Sequence, residues 1–277
     1  MKPVDKALWF IESHFAETLS LDDIADHAGA SRFYLSHAFQ AATGHSVIGY
    51  LRARRLTEAA RALADGSPDI LSVALDAGYG SHEAFTRAFR DLFGLTPEQV
   101  RARHSIDNLP FVEPLRMDQI NFVPLDPPRF ENGKAMLIAG LSERFDCANP
   151  SGIPALWQRF NPHVGHVPHE TGKASYGICY NTDDAGNMDY LVGVEVTDYS
   201  DLPPELQRLR LPAQRYAVFT HRDHVATIRS TLHTIFSQWL PSSGHTLADS
   251  PVLERYDARF SPLTGMGGFE IWMPLKG

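Results

Sequence analysis

The sequence predicts two domains of different class: an all-α domain carrying two helix-turn-helix units, then an α+β domain of duplicated strand-helix-strand-strand halves. Three observations carry this. An internal repeat links residues 24–44, IADHAGASRFYLSHAFQAATG, with residues 73–94, VALDAGYGSHEAFTRAFRDLFG. Near residue 105 the helical, Pro-poor pattern gives way to a Pro-spaced stretch, Pro110 to Pro128, and then to short strand-like runs alternating with two helical patterns. The strand-like and helical runs past that point fall in one order, repeated twice. The predicted boundaries are 1–104 for the helical domain, 105–132 for a linker with a first strand at Gln119–Val123, and 133–277 for the second domain.

Each element of the first domain has a local cause. Val4, Leu8, Ile11 and Phe15 give a one-faced opening helix. In both repeat copies an Ala-Gly pair (Ala28-Gly29 and Ala77-Gly78) closes a short helix, because glycine tolerates the left-handed turn. A serine (Ser31 or Ser81) then opens the next helix. The second helices carry apolar stripes Leu35, Ala38, Phe39, Ala42 and Phe85, Ala88, Phe89, Leu92. Ser20 and Asp23 are expected to cap one helix, Ser67-Pro68-Asp69 to start another, and Thr96 with Gln99 to form a capping box around Pro97. Val47–Ala64 reads as a rigid connecting helix.

A short helix, a glycine turn and a second amphipathic helix form the unit that enters a DNA major groove. The outward side chains are Arg32, Phe33, Ser36, His37 and Gln40 in the first copy. In the second they are His82, Glu83, Thr86, Arg87 and Arg90. Arg suits guanine, Gln adenine, Glu cytosine, and Phe or Thr a thymine methyl. Bulk charge does not help. The chain carries a net charge of −8, and residues 1–104 hold eleven Lys/Arg against thirteen Asp/Glu. Phosphate contacts must come from local arginines, for which Arg52, Arg54, Arg55, Arg61, Arg87, Arg90, Arg101 and Arg103 are the candidates.

These residues resemble the DNA-binding domain of the AraC/XylS family. The resemblance rests on Ile24-Ala25, Ala28-Gly29, Ser31, Leu35, Phe39, Gly44, Tyr50, Arg55-Leu56, Ala59, Ala74, Gly78-Tyr79, Phe85, Arg87, Phe89, Gly94, Pro97 and Arg101. It implies two helix-turn-helix units joined by one long helix, with base contacts from Arg32, Phe33, Ser36, His37, His82, Glu83, Thr86 and Arg87. Val100 departs from the tyrosine usual there, and the domain lies N-terminal where the family more often places it C-terminal.

In the second domain, strands are expected at Ala135–Ala139, Ser175–Tyr180, Tyr190–Val196, Gln214–His221, Glu254–Phe260 and Gly268–Met273. Helices are expected at Pro154–Phe160 and His224–Leu240. Strand alternation puts Glu195 opposite the valines of its strand, and Glu270 with Trp272 on one face. A carboxylate among aromatics suits a cationic or amphipathic small molecule. Residues 211–219 and Phe269–Pro274 resemble the GyrI-like effector-binding domain. That resemblance implies Glu270 as the pocket glutamate and Trp272 and Tyr216 as its aromatic wall. Asp223 stands where a glycine commonly follows the strand.

The remaining features narrow the class. Two cysteines, Cys147 and Cys179, make neither a metal nor a disulfide framework and fit a reducing cytoplasm. His163, His166 and His169 are interrupted by Gly165 and Pro168, so no metal or other cofactor is expected. No apolar run approaches a membrane span. The sequence therefore reads as a cytoplasmic, sequence-specific transcription regulator and not an enzyme. Its expected partners are operator DNA, a small-molecule effector and RNA polymerase. Hydrolysis of a small electrophile, or protein docking, by the second domain are the competing readings.

Overall fold

The computed structural model describes residues 2–66, 69–115, 122–146, 151–183 and 187–277. Cα packing divides the chain into two compact units, Met1–Leu35 with His45–Gln119 and Ser36–Gly44 with Ile120–Gly277.

The helical elements are α1 (Pro3–His14), α2 (Leu21–Ala28), α3 (Arg32–Thr43), α4 (Val47–Ala64), α5 (Ile70–Asp76), α6 (His82–Phe93) and α7 (Pro97–Arg103). The start signals act as expected. The Ser20 hydroxyl accepts from the Asp23 N–H while the Asp23 carboxylate accepts from the Ser20 N–H. Thr96 and Gln99 do the same at α7. Asp69 caps α5; Ser67 and Pro68 lie outside the described residues. Gly29 and Gly78 have φ of +67° and +79°, the left-handed turns that both repeat copies require. Phe85, Phe89 and Phe93 form a ring ladder along α6 and join Leu56, Ala60, Leu63 and Val100 in one buried core.

The segment after α7 is docked rather than loose. Leu109 and Phe111 pack on that core. The Val112 N–H donates to Thr57 Oγ1 at 3.2 Å, and the Leu115 N–H donates to the Tyr50 hydroxyl at 3.0 Å. Arg54 donates to the Val112 carbonyl at 3.1 Å. Tyr50, Arg54 and Thr57 lie on one stripe of α4 and are all buried. A polar stripe therefore holds an extended main chain whose backbone groups would otherwise lack partners. The strand expected at Gln119–Val123 falls largely outside the described residues, and Phe122 and Val123 are not in a strand.

The second unit is an eight-stranded antiparallel sheet in the order β1-β6-β8-β7-β3-β4-β2-β5. The strands are β1 (Arg129–Gly133), β2 (Met136–Asp146), β3 (Glu170–Tyr180), β4 (Asn187–Val196), β5 (Gln207–Leu211), β6 (Gln214–His221), β7 (Val252–Tyr256) and β8 (Phe269–Leu275). The helices are α8 (Ile153–Phe160), α9 (Ile228–Thr234) and α10 (Leu240–Ser243). The two halves are β2-α8-β3-β4 and β6-α9-β7-β8. The expected helix His224–Leu240 is interrupted: a 3-10 turn precedes α9, and a π-helical turn, Ile235–Trp239, separates α9 from α10. The expected strand Glu254–Phe260 is shifted, because the Phe260 N–H bonds the Asp257 carbonyl and turns the chain. β1 and β5 were not foreseen; both are short, arginine-bearing edge strands, a form that protects open sheet edges.

The sheet must curl. β5 and β6 lie six places apart in the strand order, about 29 Å in a flat sheet. Only Pro212 and Ala213 connect them, a reach of at most about 11 Å. The inner face of the curl buries Ile138, Ile178, Leu191, Tyr216, Val218 and Leu253. The outer face carries the helices. α8 packs over β2 and β4, and Trp239 of the π turn meets Phe219 of β6 at 4.8 Å. The two central strands, β3 and β7, run between these helices.

Candidate functional site

The proposed DNA-reading side chains lie where the sequence set them, on α3 and α6, but with different exposure. On α6, Glu83, Arg87 and Arg90 are exposed. His82 meets Glu98 at 3.1 Å, and the Thr86 hydroxyl is buried. On α3, Arg32 is exposed and pairs with Asp22 at 3.3 Å, while Phe33, Ser36, His37 and Gln40 are half-buried.

Several expected phosphate-binding arginines are engaged within the fold. Arg54, 4% exposed, is clamped by Glu12 and Glu58. Arg55 donates to the carbonyls of Phe15 and Glu17. Arg61 pairs with Glu58 and Glu113. These three cations each have partners within their own unit. The sequence could not separate them from surface arginines, because Arg54 sits on the buried stripe of a helix whose partner acid, Glu12, is forty-two residues away.

On the outer face of the sheet, at its centre, a carboxylate is set among aromatic rings. Glu254 of β7 accepts hydrogen bonds on one oxygen, Oε2, from Tyr190 at 2.6 Å and Tyr256 at 2.7 Å. Trp157 of α8 donates its indole N–H to the Tyr190 oxygen at 3.3 Å and packs edge-on against Tyr256 at 4.8 Å. Phe145 and Phe260 extend the wall. Tyr190 and Tyr256 are buried, whereas Glu254 keeps accessible surface. Burial pushes the Glu254 carboxyl above the ordinary carboxylate value, against the two phenol bonds that pull it down. Gly177 of β3, opposite Glu254 in register, makes this approach possible. A Cβ there would stand 2.1 Å from the Tyr190 hydroxyl.

The glutamate singled out from the sequence has a different setting. Glu270 faces inward beside Trp272, as alternation required, and Trp272 donates to it at 3.0 Å. It is also paired with Arg129 at 3.0 Å, Arg255 at 3.3 Å and Arg259 at 3.4 Å. Its burial would raise its pKa, but the Arg129 and Trp272 bonds and the Arg129 and Arg255 charges outweigh that and hold it below the usual value. Glu270 thus has cationic partners, which it shares with Glu131 and Asp257. Tyr216 packs edge-on to Trp272 at 5.3 Å and is buried, its phenol pushed up to about 12 by desolvation. Glu195 lies 3.8 Å from Lys134. These four residues therefore share the inner face, away from the aromatic site at Glu254. The signal for Glu254 was present in VLERY: period two puts Val252, Glu254 and Tyr256 on one face.

Residues 126–276 match the family model described as the GyrI-like small molecule binding domain. The chain belongs to the GyrI-like family. Residues 24–103 of this GyrI-like protein match a helix-turn-helix domain model, and together the two place it among the AraC-type DNA-binding transcription regulators. It is 26% identical over 262 residues to the transcriptional regulator Rob of Salmonella typhimurium, covering 91% of this chain and 89% of that one. Over 112 residues it is 31% identical to the multiple antibiotic resistance protein MarA of Escherichia coli, covering 40% of this chain and 88% of MarA. Among solved structures, SAV2435 bound to tetraphenylphosphonium matches 54% of this chain and 94% of its own, with 20% identity and a TM-score of 0.45. No described helix is long and apolar enough to cross a membrane.

Proposed function

We propose that this regulator senses a lipophilic monocation at Glu254, beside α8, and reads its operator with α3 and α6. The observation that carries the effector reading is the uncompensated carboxylate. Glu254 is enclosed by Trp157, Tyr190, Tyr256 and Phe260, and among the described residues no cation pairs with it. Burying a lone carboxylate is costly unless a counter-charge arrives, and aromatic walls suit a desolvated cation. Tetraphenylphosphonium, rigid and non-titrating, is a suitable probe. At about 100 times its Kd it should stabilise the folded chain by about 2.7 kcal/mol, seen as a rise in melting temperature, and it should change operator affinity. Glu254→Gln should weaken both responses, and Glu270→Gln should spare the binding. A melting shift unchanged in Glu254→Gln would sink the assignment.

For operator reading, Arg87 is the test residue, being exposed and, among the described residues, outside any ion pair. Arg87→Ala should weaken operator binding by about 1–3 kcal/mol and relax sequence preference at one base pair. A uniform loss across unrelated sequences would assign it to phosphate instead.

A hydrolytic reading rests on the same carboxylate acting as a general base on water. It requires turnover of a small electrophile that Glu254→Gln removes; a reactive-electrophile panel decides it. We favour sensing without turnover, since the relatives it matches are named as regulators.

A further inference from the structure

We infer that the empty site holds a proton on Glu254 Oε1 near neutral pH, and that a bound cation takes that proton's place, so that effector binding releases one proton to solvent. The inference rests on the effector reading of this site and adds its charge chemistry.

Hydrogen-bond polarity locates the proton. An indole N–H can only donate, so the Trp157 bond uses a lone pair of the Tyr190 oxygen. Tyr190 must then direct its own proton to Glu254. Tyr256 donates to the same oxygen. Oε2 is thereby occupied by two donors, and among the described residues nothing donates to Oε1. Glu254 itself retains accessible surface. A carboxyl proton accordingly belongs on Oε1.

The groups facing Glu254 supply no charge to keep it ionised. They are Tyr190 from β4, Cys179 and Gly177 from β3, Tyr256 from β7, Ile271 from β8 and Trp157 from α8. None of them is a lysine, arginine or histidine. The carboxyl therefore has two stable forms. Protonated, it offers an O–H donor at Oε1. Ionised, it needs a cation there. In the exchange the Oε1–H bond breaks, the electron pair stays on oxygen as counter-charge, and the proton passes to buffer.

The test is calorimetric titration of the full-length protein with tetraphenylphosphonium from pH 5 to 8, repeated in buffers of different ionisation enthalpy. The expected result is close to one proton released per cation on the acid side, with affinity rising about tenfold per pH unit there and levelling at higher pH. Glu254→Gln should bind more weakly, release no proton and show no pH dependence. Binding without proton release across the whole range would overturn the inference while leaving the effector reading intact. If the cation does not bind, the effector reading fails, and infrared difference spectroscopy between the unliganded protein and Glu254→Gln still decides the proton. A protonated carboxylic C=O band at neutral pH supports it; only carboxylate bands overturn it.

Discussion

Arg54→Ala is expected to destabilise the N-terminal unit by about 3–5 kcal/mol, the usual cost of removing one partner from a buried ion pair. The side chain is 4% exposed and reaches both Glu12 oxygens, at 2.9 and 3.0 Å, as well as Glu58 at 3.1 Å. Removing it leaves two carboxylates half-enclosed without a counter-charge. It also removes the donor to the Val112 carbonyl, so residues 112–115 lose one of their ties to α4. The loss is a large part of the roughly 5–15 kcal/mol that holds a typical domain together. Denaturant unfolding measures it directly, and amide exchange at Val112 and Leu115 should quicken together. A double variant with Glu12→Gln and Arg54→Met should be more stable than Arg54→Ala, since paired replacement removes the stranded charge. If Arg54→Ala unfolds at the wild-type midpoint, the clamp is ornamental.

Gly177→Ala is the second large effect, and its cause is collision rather than backbone strain. Gly177 lies in a regular strand without a positive φ, and its partners in the ladder are Val192 and Glu254. Alanine would be tolerated by the main chain. Its methyl, however, would fall 2.1 Å from the Tyr190 hydroxyl and 2.8 Å from Glu254 Oε2. Neither group can retreat far, because Tyr190 is 1% exposed and tied to Trp157. Overpacking of this kind costs about 1–3 kcal/mol. Because the displaced atoms are the site itself, cation binding should be lost together with that stability. A Gly177→Ala protein that binds tetraphenylphosphonium with unchanged affinity would show that the ligand is not held at Glu254.

Helix chemistry made the first unit readable in detail. Caps, glycine turns and the stripes of α3 and α6 are local signals, each written within a few residues. α4 begins and ends where its periodicity said. Arg54 and Arg55 also have partners remote in sequence, Glu12 and the carbonyls of Phe15 and Glu17, which charge alone does not reveal. In the second unit, strands with alternating valines were recognised, whereas β1 and β5 carry few apolar residues and owe their existence to pairing with β6 and β2. The inner-face placement of Glu270 and Trp272 followed from alternation. That Glu270 would meet three arginines from β1, β7 and the turn after β7 required the tertiary fold. Glu254 lay within reach of the same parity argument, since it shares a face with Tyr256 wherever the strand is taken to begin.

The curl of the sheet bears on how the protein is made. β1 is hydrogen-bonded to β6, whose residues follow it by more than eighty positions: Arg129 is matched with Val218 and Gly133 with Gln214. As the chain leaves the ribosome, β1 must wait for most of the domain before it has a partner, and β2 to β4 can zip together first. Such long-range closure is slow compared with helix formation, and unpaired strand edges are where nascent chains associate wrongly. The N-terminal helices, whose caps and turns are local, can form while the sheet is still incomplete.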